Sequence, residues 1–272
     1  MTLALGIDVG GTKVAAGLVD VERGIVGAAR RQATRAERGG AAVLDDCRSL
    51  AHLVAGDAEP AAVGLAVCEL VGVDGRLRSA ETVDWRAVDL AGAFAPIAAR
   101  VRVESDVRAA ALAEARLGAG RGVPDFLYVS VGSGISHCLM VDGRPRLGVH
   151  GSAIGTGAPL VERWSGGLAL ARRSGHASAE EALADPGASE VVRYGARRLG
   201  LALAALVNAL DPGVVIVGGG LGLDERYREL VVDAMREPIY DPAARGVPVV
   251  AAALGPDAAV IGAALGAVDA GG

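Results

Sequence analysis

The chain has 272 residues, 51% apolar and 22% charged, with a formal net charge of −5. That composition excludes an intrinsically disordered chain and leaves room for one large domain or two ordinary lobes. With 3% aromatics and an acidic balance, a stacking platform for single-stranded nucleic acid is excluded, and so is a general attraction to nucleic acid or to anionic membrane.

Cys47, Cys68 and Cys138 are an odd number without the spacing of a disulfide framework or a zinc knuckle, which predicts a reducing compartment. The start carries no basic leader and meets Asp8 early, so a cytoplasmic protein is expected. The apolar run at 199–210 falls short of the ~18 residues that a membrane-spanning helix needs.

Residues 3–8 and 14–20 are β-rich runs around Gly10-Gly11-Thr12, which predicts a hairpin. Residues 41–53 have a helical pattern, and 62–68 and 101–104 read as buried strands. An alanine-rich helix is expected over 107–117, with Ser105 or Asp106 as its cap and Gly118 at its end. Residues 126–130 and 135–141 repeat the strand, glycine turn, strand pattern around Gly132-Ser133-Gly134. Without a gap, Asp8 falls over Ser130 and Asp20 over Asp142, which reads as an internal duplication. Long helical segments follow over 188–210. A strand at 214–217 then runs into Gly218-Gly219-Gly220, and a strand at 247–254 and a small-residue helix at about 256–268 close the chain. Alternating strands and helices with a duplicated hairpin predict an α/β protein in two lobes.

The three glycine-rich strand exits, at Gly10, Gly132 and Gly218, can each present backbone N–H groups to phosphate or nucleotide. None is a Walker A loop, because residues 11–13 read Gly-Thr-Lys and lead into a strand. The N-terminal hairpin is equally unlike the strand–turn–helix of a dinucleotide fold. Lys13 is the only lysine among 27 basic residues. In a chain that uses arginine for bulk charge, a solitary lysine beside a glycine turn asks for a specific role.

Leu5-Gly6-Ile7-Asp8-Val9-Gly10-Gly11-Thr12-Lys13 resembles the first phosphate motif of the ROK group (repressors, open reading frames and sugar kinases) of the actin-like ATPase superfamily. Residues 129–135 are similar to its second phosphate motif, and 208–220 to its adenosine segment. Val103-Glu104-Ser105-Asp106-Val107-Arg108 resembles the stretch that carries the catalytic aspartate. The resemblance implies an α/β, two-lobed actin-like ATPase (ribonuclease H-like) fold. One lobe would span 1–105, with a helix from 256–272 packed back on it, the other 106–255, and the active site would lie in the cleft between them. It also implies a kinase that uses ATP and Mg²⁺, with Asp106 as the base and Asp8 holding the metal through water. Gly10, Gly11, Thr12 and Lys13 would face the phosphates together with Gly132, Ser133 and Gly134, while Gly218, Gly219 and Gly220 would line the adenosine pocket. A homodimer is expected from the family.

The acceptor side departs from the family pattern. Gly155 and Ala158 stand where the family places a sugar-binding glutamate and a metal-binding histidine, and the cysteine loop beyond them is absent, so no zinc site is expected. Cys68-Glu69 replaces the usual Pro-Gly, Ser105 replaces an asparagine, and Thr82 stands near the position of another. The acceptor residues implied are Glu69, Thr82, Ser105, Asp106, His150 and Glu162. Intact nucleotide motifs beside an altered acceptor pocket point to a sugar-like acceptor other than an ordinary hexose. A C7-cyclitol of the valiolone type fits, as in 2-epi-5-epi-valiolone 7-phosphorylation within antibiotic biosynthesis. A glucokinase-like hexose kinase and a non-catalytic metabolite-binding ROK protein are the alternatives. Family repressors carry a winged helix before the first phosphate motif, where this sequence has only Met1 to Ile7, so a repressor is not expected.

Overall fold

The structure, a computed structural model, describes residues 1–25, 27, 29–156 and 160–269. The chain divides into two compact units. The first comprises Met1–Arg121, Leu147–Ala153 and Pro256–Gly272, and the second Gly122–Arg146 and Ile154–Gly255.

In the first unit the chain runs through β1 (Leu3–Val9), β2 (Lys13–Asp20), β3 (Gly24–Ile25), β4 (Arg30–Ala33), α1 (Gly40–Ala55), β5 (Val63–Val67), β6 (Val101–Ser105) and α2 (Asp106–Leu117). The main strand order is β3-β2-β1-β5-β6, with β4 also pairing β2. β1 and β2 form the expected antiparallel hairpin, whereas β1, β5 and β6 run parallel. Every residue of β5 is buried, as a parallel strand covered on both faces requires.

One cover is α8 (Ala258–Asp269), which packs on β1, β5 and α2. Its approach depends on missing side chains: a Cβ on Gly64 of β5 would lie 1.9 Å from the Ala263 carbonyl oxygen, and one on Gly262 would lie 1.7 Å from that of Ala109. α2 therefore belongs to the first unit, and the boundary expected after Ser105 falls after Arg121. The reason is the close packing of α2 on α8, a contact between distant parts of the sequence.

The second unit holds β7 (Phe126–Val131), β8 (Ile135–Val141), β9 (Arg144–Pro145), α3 (Glu162–Ser165), α4 (Gly167–Ser174), α5 (Ala179–Ala184), α6 (Ser189–Leu210), β10 (Val215–Gly218), α7 (Glu225–Arg236) and β11 (Val249–Ala251). Its sheet order is β11-β10-β7-β8-β9. The segments expected over 188–210 form one helix, α6, whose buried Val192, Ala196, Leu199, Leu203 and Val207 lie at helical spacing on one face. They meet Leu127, Val129 and Tyr227 in the core. The strand expected over 247–254 is paired only at Val249–Ala251.

The two hairpins are alike but not in register. Val9 pairs with Val14 around a turn closed by the Gly10 N–H on the Lys13 carbonyl, whereas Val131 pairs with Ile135 and the Gly132 N–H reaches the Gly134 carbonyl. The second turn is one residue tighter, so the gapless match holds through the first strand and slips in the second.

Gly262→Ala is expected to cost about 3 kcal/mol through overpacking. In the same helix Gly266→Ala, whose new Cβ would meet Leu112 at an ordinary 3.5 Å, should be neutral or stabilising by up to ~1 kcal/mol. Urea midpoints of the two variants check this pair, and equal midpoints would contradict the packing.

Candidate active site

The first unit gathers seven groups of interest: Asp8 at the end of β1, the turn Gly10 to Lys13, Glu69 and Thr82 in the chain after β5, Ser105 and Asp106 at the corner between β6 and α2, and His150 in the 147–153 segment. Gly11, Thr12 and Lys13 are exposed, so the turn offers its backbone and its lysine to a ligand. Thr34, fully buried, braces this turn from below. Its hydroxyl donates to the Gly10 carbonyl (2.7 Å) and its N–H to the Thr12 carbonyl (3.0 Å). Nothing in the sequence pattern marks Thr34, because its partners are backbone carbonyls.

Asp106 is the first residue of α2 and is half-buried. Neither it nor Ser105 makes the usual cap bond deeper in the helix. One oxygen of Asp106 accepts the adjacent Val107 N–H (2.6 Å), which leaves the rest of the carboxylate for other work. Burial pushes Asp106 up to about 6. The Val107 N–H works against that rise, and the negative charge of Glu69 adds to it. Asp8, also half-buried, is pushed up to about 7, first by burial and then by the charge of Asp106, with Arg31 opposing. The thiol of Cys68 stands among the same groups. Burial and the Asp106 charge raise it to about 12, against a hydrogen bond from Thr82.

The acceptor residues expected from the sequence divide. Glu69 is 3% exposed, and its carboxylate is fully engaged. It accepts from the Ser79 hydroxyl and from the N–H groups of Glu81 (3.1 Å), Thr82 (2.8 Å) and Val83 (3.2 Å). It holds the 79–83 loop instead of facing an open pocket, which corrects its expected role as a direct ligand. Ser105 is fully buried, so it too is withdrawn from direct contact. Its hydroxyl leans on Asp106 and favours the ionised carboxylate, yet makes no hydrogen bond of ordinary geometry. Thr82, carried by the Glu69 strap, is exposed, and its methyl lies 3.0 Å from where a Cβ on Gly11 would stand. His150 is exposed. A cavity of about 1190 Å³ lies beside this loop, lined by residues 72–81, 85–86, 88–91 and 101–104 among others, and touches neither Asp8 nor Asp106. It is not the reacting centre.

The second unit carries the other glycine turns. Gly132 to Gly134 sit against the start of α4, where the Gly167 N–H donates to the Gly132 carbonyl (2.7 Å). Glu162 lies at this turn, accepting the Ile135 N–H (3.2 Å) and standing 3.1 Å from where a Cβ on Gly134 would be. Gly219 has a φ of 80°, and a Cβ there would meet the Val131 carbonyl at 2.5 Å, so this exit from β10 tolerates only glycine. Gly220 is open. His137 is 8% exposed and pairs with Thr156 (3.0 Å), burial holding it below the usual histidine range. Ala158 lies outside the described residues.

Among the described residues no group of three His, Cys, Asp or Glu side chains is arranged to cage a metal ion. Asp8 alone suits a hydrated Mg²⁺ carried in with phosphate, since magnesium keeps several of its waters and takes one or two carboxylates.

Both raised acids make the free protein pH-sensitive. A folded-state pKa above the unfolded value favours the protonated form, so this contribution is present below about pH 4 and is lost as pH rises through about 6 to 7. Asp106→Asn is expected to stabilise the ligand-free protein at pH 8 by on the order of 1–2 kcal/mol, partial exposure trimming the full shift, and to change little near pH 4. Denaturant midpoints at the two pH values check this, and a destabilised variant at pH 8 would contradict it.

The sequence matches the model of the ROK family over residues 4–163 and 169–269. A glucokinase of Streptomyces coelicolor is 29% identical over 97% of both chains. A kanosamine kinase of Amycolatopsis mediterranei is 30% identical over 79% of this chain and 80% of its own. The crystal structure of a ROK family glucokinase from Streptomyces griseus, in complex with glucose and AMPPNP, superposes with a TM-score of 0.83 at 27% identity, covering 96% of this chain and 98% of that one. The two-sheet α/β architecture is that of the two-lobed, actin-like ROK sugar kinases. The chain belongs to the ROK family.

Proposed function

We propose that this protein is an ATP-dependent kinase that phosphorylates a hydroxyl of a sugar or sugar-like cyclitol. The observation that carries the reading is Asp106, a carboxylate at a strand-to-helix corner, unspent on capping and raised toward neutrality. Relatives that span nearly the whole chain are named as sugar kinases. In this reading the acceptor hydroxyl gives its proton to Asp106 as its oxygen attacks the γ-phosphorus, and the bond to the bridging oxygen breaks to release ADP. A base so placed contributes typically ~10²–10⁴-fold. Mg²⁺, when bound with the nucleotide, neutralises charge on the phosphate oxygens, and Asp8 would hold it through water. Gly10, Gly11, Thr12 and Lys13 are assigned to the phosphates, as are Gly132, Ser133 and Gly134 of the second unit, and Gly218 to Gly220 are assigned to adenosine. Thr82, His150 and Glu162 are assigned to the acceptor, with Glu69 and Ser105 supporting from behind.

The acceptor favoured is a C7-cyclitol of the valiolone type, in antibiotic biosynthesis. The support is the concentration of departures at Cys68-Glu69, Ser105 and Gly155 beside unchanged glycine turns. The names of the relatives favour a hexose or amino-sugar kinase as the second reading. A cytoplasmic homodimer completes the proposal.

The test is ADP release from Mg-ATP over glucose, mannose, kanosamine and valiolone-type cyclitols, with the product's phosphate located by ³¹P NMR. Acceptor-dependent release that is largest for a cyclitol is expected. Release confined to hexoses selects the second reading. Thermal stabilisation by acceptor and nucleotide without any ADP overturns the kinase and leaves a metabolite-binding protein.

A further inference from the structure

Arg108 lies two residues beyond Asp106 on α2 and is 1% exposed. Taking a guanidinium out of water costs several kcal/mol unless hydrogen bonds and an opposite charge compensate, so a fully buried arginine has partners that define its purpose. Here the partners come from three segments. Nη2 donates to the Val71 carbonyl (2.6 Å), in the loop after β5, and stands 2.7 Å from the Glu104 carboxylate at the end of β6. Nη1 donates to the Gly151 carbonyl (3.0 Å), in the 147–153 segment.

The seam between the two outer segments is tight. Gly151 has a φ of 77°, and a Cβ there would lie 2.5 Å from the Val71 carbonyl oxygen and 2.8 Å from the Gly72 Cα. The segment therefore lies flat on the loop, and the planar fork of Arg108 joins the two from beneath. Glu104 also accepts the Ser105 N–H (2.8 Å), so the same ion pair fixes the residue that precedes Asp106.

We propose that Arg108 is a positioning residue: its guanidinium staples the loop after β5 and the 147–153 segment to the corner that carries Asp106, and so sets where an acceptor is held relative to that carboxylate. The reaction it serves rests on the kinase reading above. The staple itself rests only on the geometry of the first unit. Arg108 touches no reacting atom and acts through Asp106, Thr82 and His150. A lysine keeps the charge but is a single point donor that cannot span both carbonyls and the carboxylate.

The test compares wild type, Arg108→Lys and Gly151→Ala by steady-state kinetics and by amide hydrogen exchange. Gly151→Ala opens the seam without touching any charge, and it serves if Arg108→Lys folds poorly. Both variants are expected to raise the KM for the acceptor by about tenfold or more, since a misplacement of ~1 Å can cost ~10²-fold. The KM for ATP should stay within about twofold, the split that marks a loss on the acceptor side alone. Exchange should quicken at the Ala153 amide, which donates to the Leu147 carbonyl within the stapled segment. Equal losses for ATP and acceptor, or an unchanged acceptor KM in a folded variant, overturn the positioning role. Unchanged exchange overturns the staple. If wild type itself releases no ADP with any acceptor, the kinase reading fails and the positioning role with it, while the exchange arm still decides whether Arg108 holds the segment.

Discussion

The site turns on two half-buried carboxylates, Asp8 and Asp106, whose ionised forms are costly. Asp8 and Asp106 are both raised by burial, and the charge of Asp106 adds to the cost at Asp8. An isolated protein would relieve such strain by protonation or by turning the side chains outward. The backbone fixes where both groups stand: Asp8 near the end of β1, between its partners β2 and β5, and Asp106 at the first turn of α2. Positive charge is the natural complement of two such carboxylates.

The frame that imposes this arrangement is made of small residues. α8 reaches the sheet and α2 only because Gly64 and Gly262 have no side chains, and that contact fixes the helix whose first residue is Asp106. Around the frame, buried polar groups hold the loops: Thr34 braces the glycine turn, Glu69 straps the 79–83 loop, and Arg108 joins the loop after β5 to the 147–153 segment. Each satisfies backbone groups, and where these are buried, as at Val71, Val83 and Gly151, a lost partner costs ~1–3 kcal/mol.

The hairpins, the parallel strands and the corner before α2 were legible in the sequence because their signals are local: glycine between β-rich runs, and a short polar residue where an apolar strand gives way to an alanine-rich helix. The glycine turns and Asp106 were found for that reason and through the resemblance to a family. What was not legible acts over distance. Glu69 is expected as an acceptor ligand from its place in the family pattern, but it accepts from the Ser79 hydroxyl and from backbone N–H groups 12 to 14 residues away, which carry no sequence signature. Thr34 and Arg108 also bind carbonyls, which every residue has; the one local pattern in the Arg108 network is its i,i+4 pairing with Glu104. The one-residue slip between the hairpins leaves no trace in a gapless match, because a turn can shorten while its glycines still align. The boundary between the two compact units falls later than the sequence pattern places it, because the packing of α2 on α8 joins the middle of the chain to its end.

In the proposed reaction Asp106 takes the proton from the attacking hydroxyl. The most direct measurement is the pH dependence of kcat/KM for the acceptor, in wild type and in Asp106→Asn, with Mg-ATP saturating. An acid limb is expected in wild type, because the base works only when deprotonated. In the variant a loss of about 10²–10⁴-fold and no such limb are expected. A variant that keeps wild-type turnover, or loses rate yet retains the same acid limb, would contradict that role and assign the proton to another group.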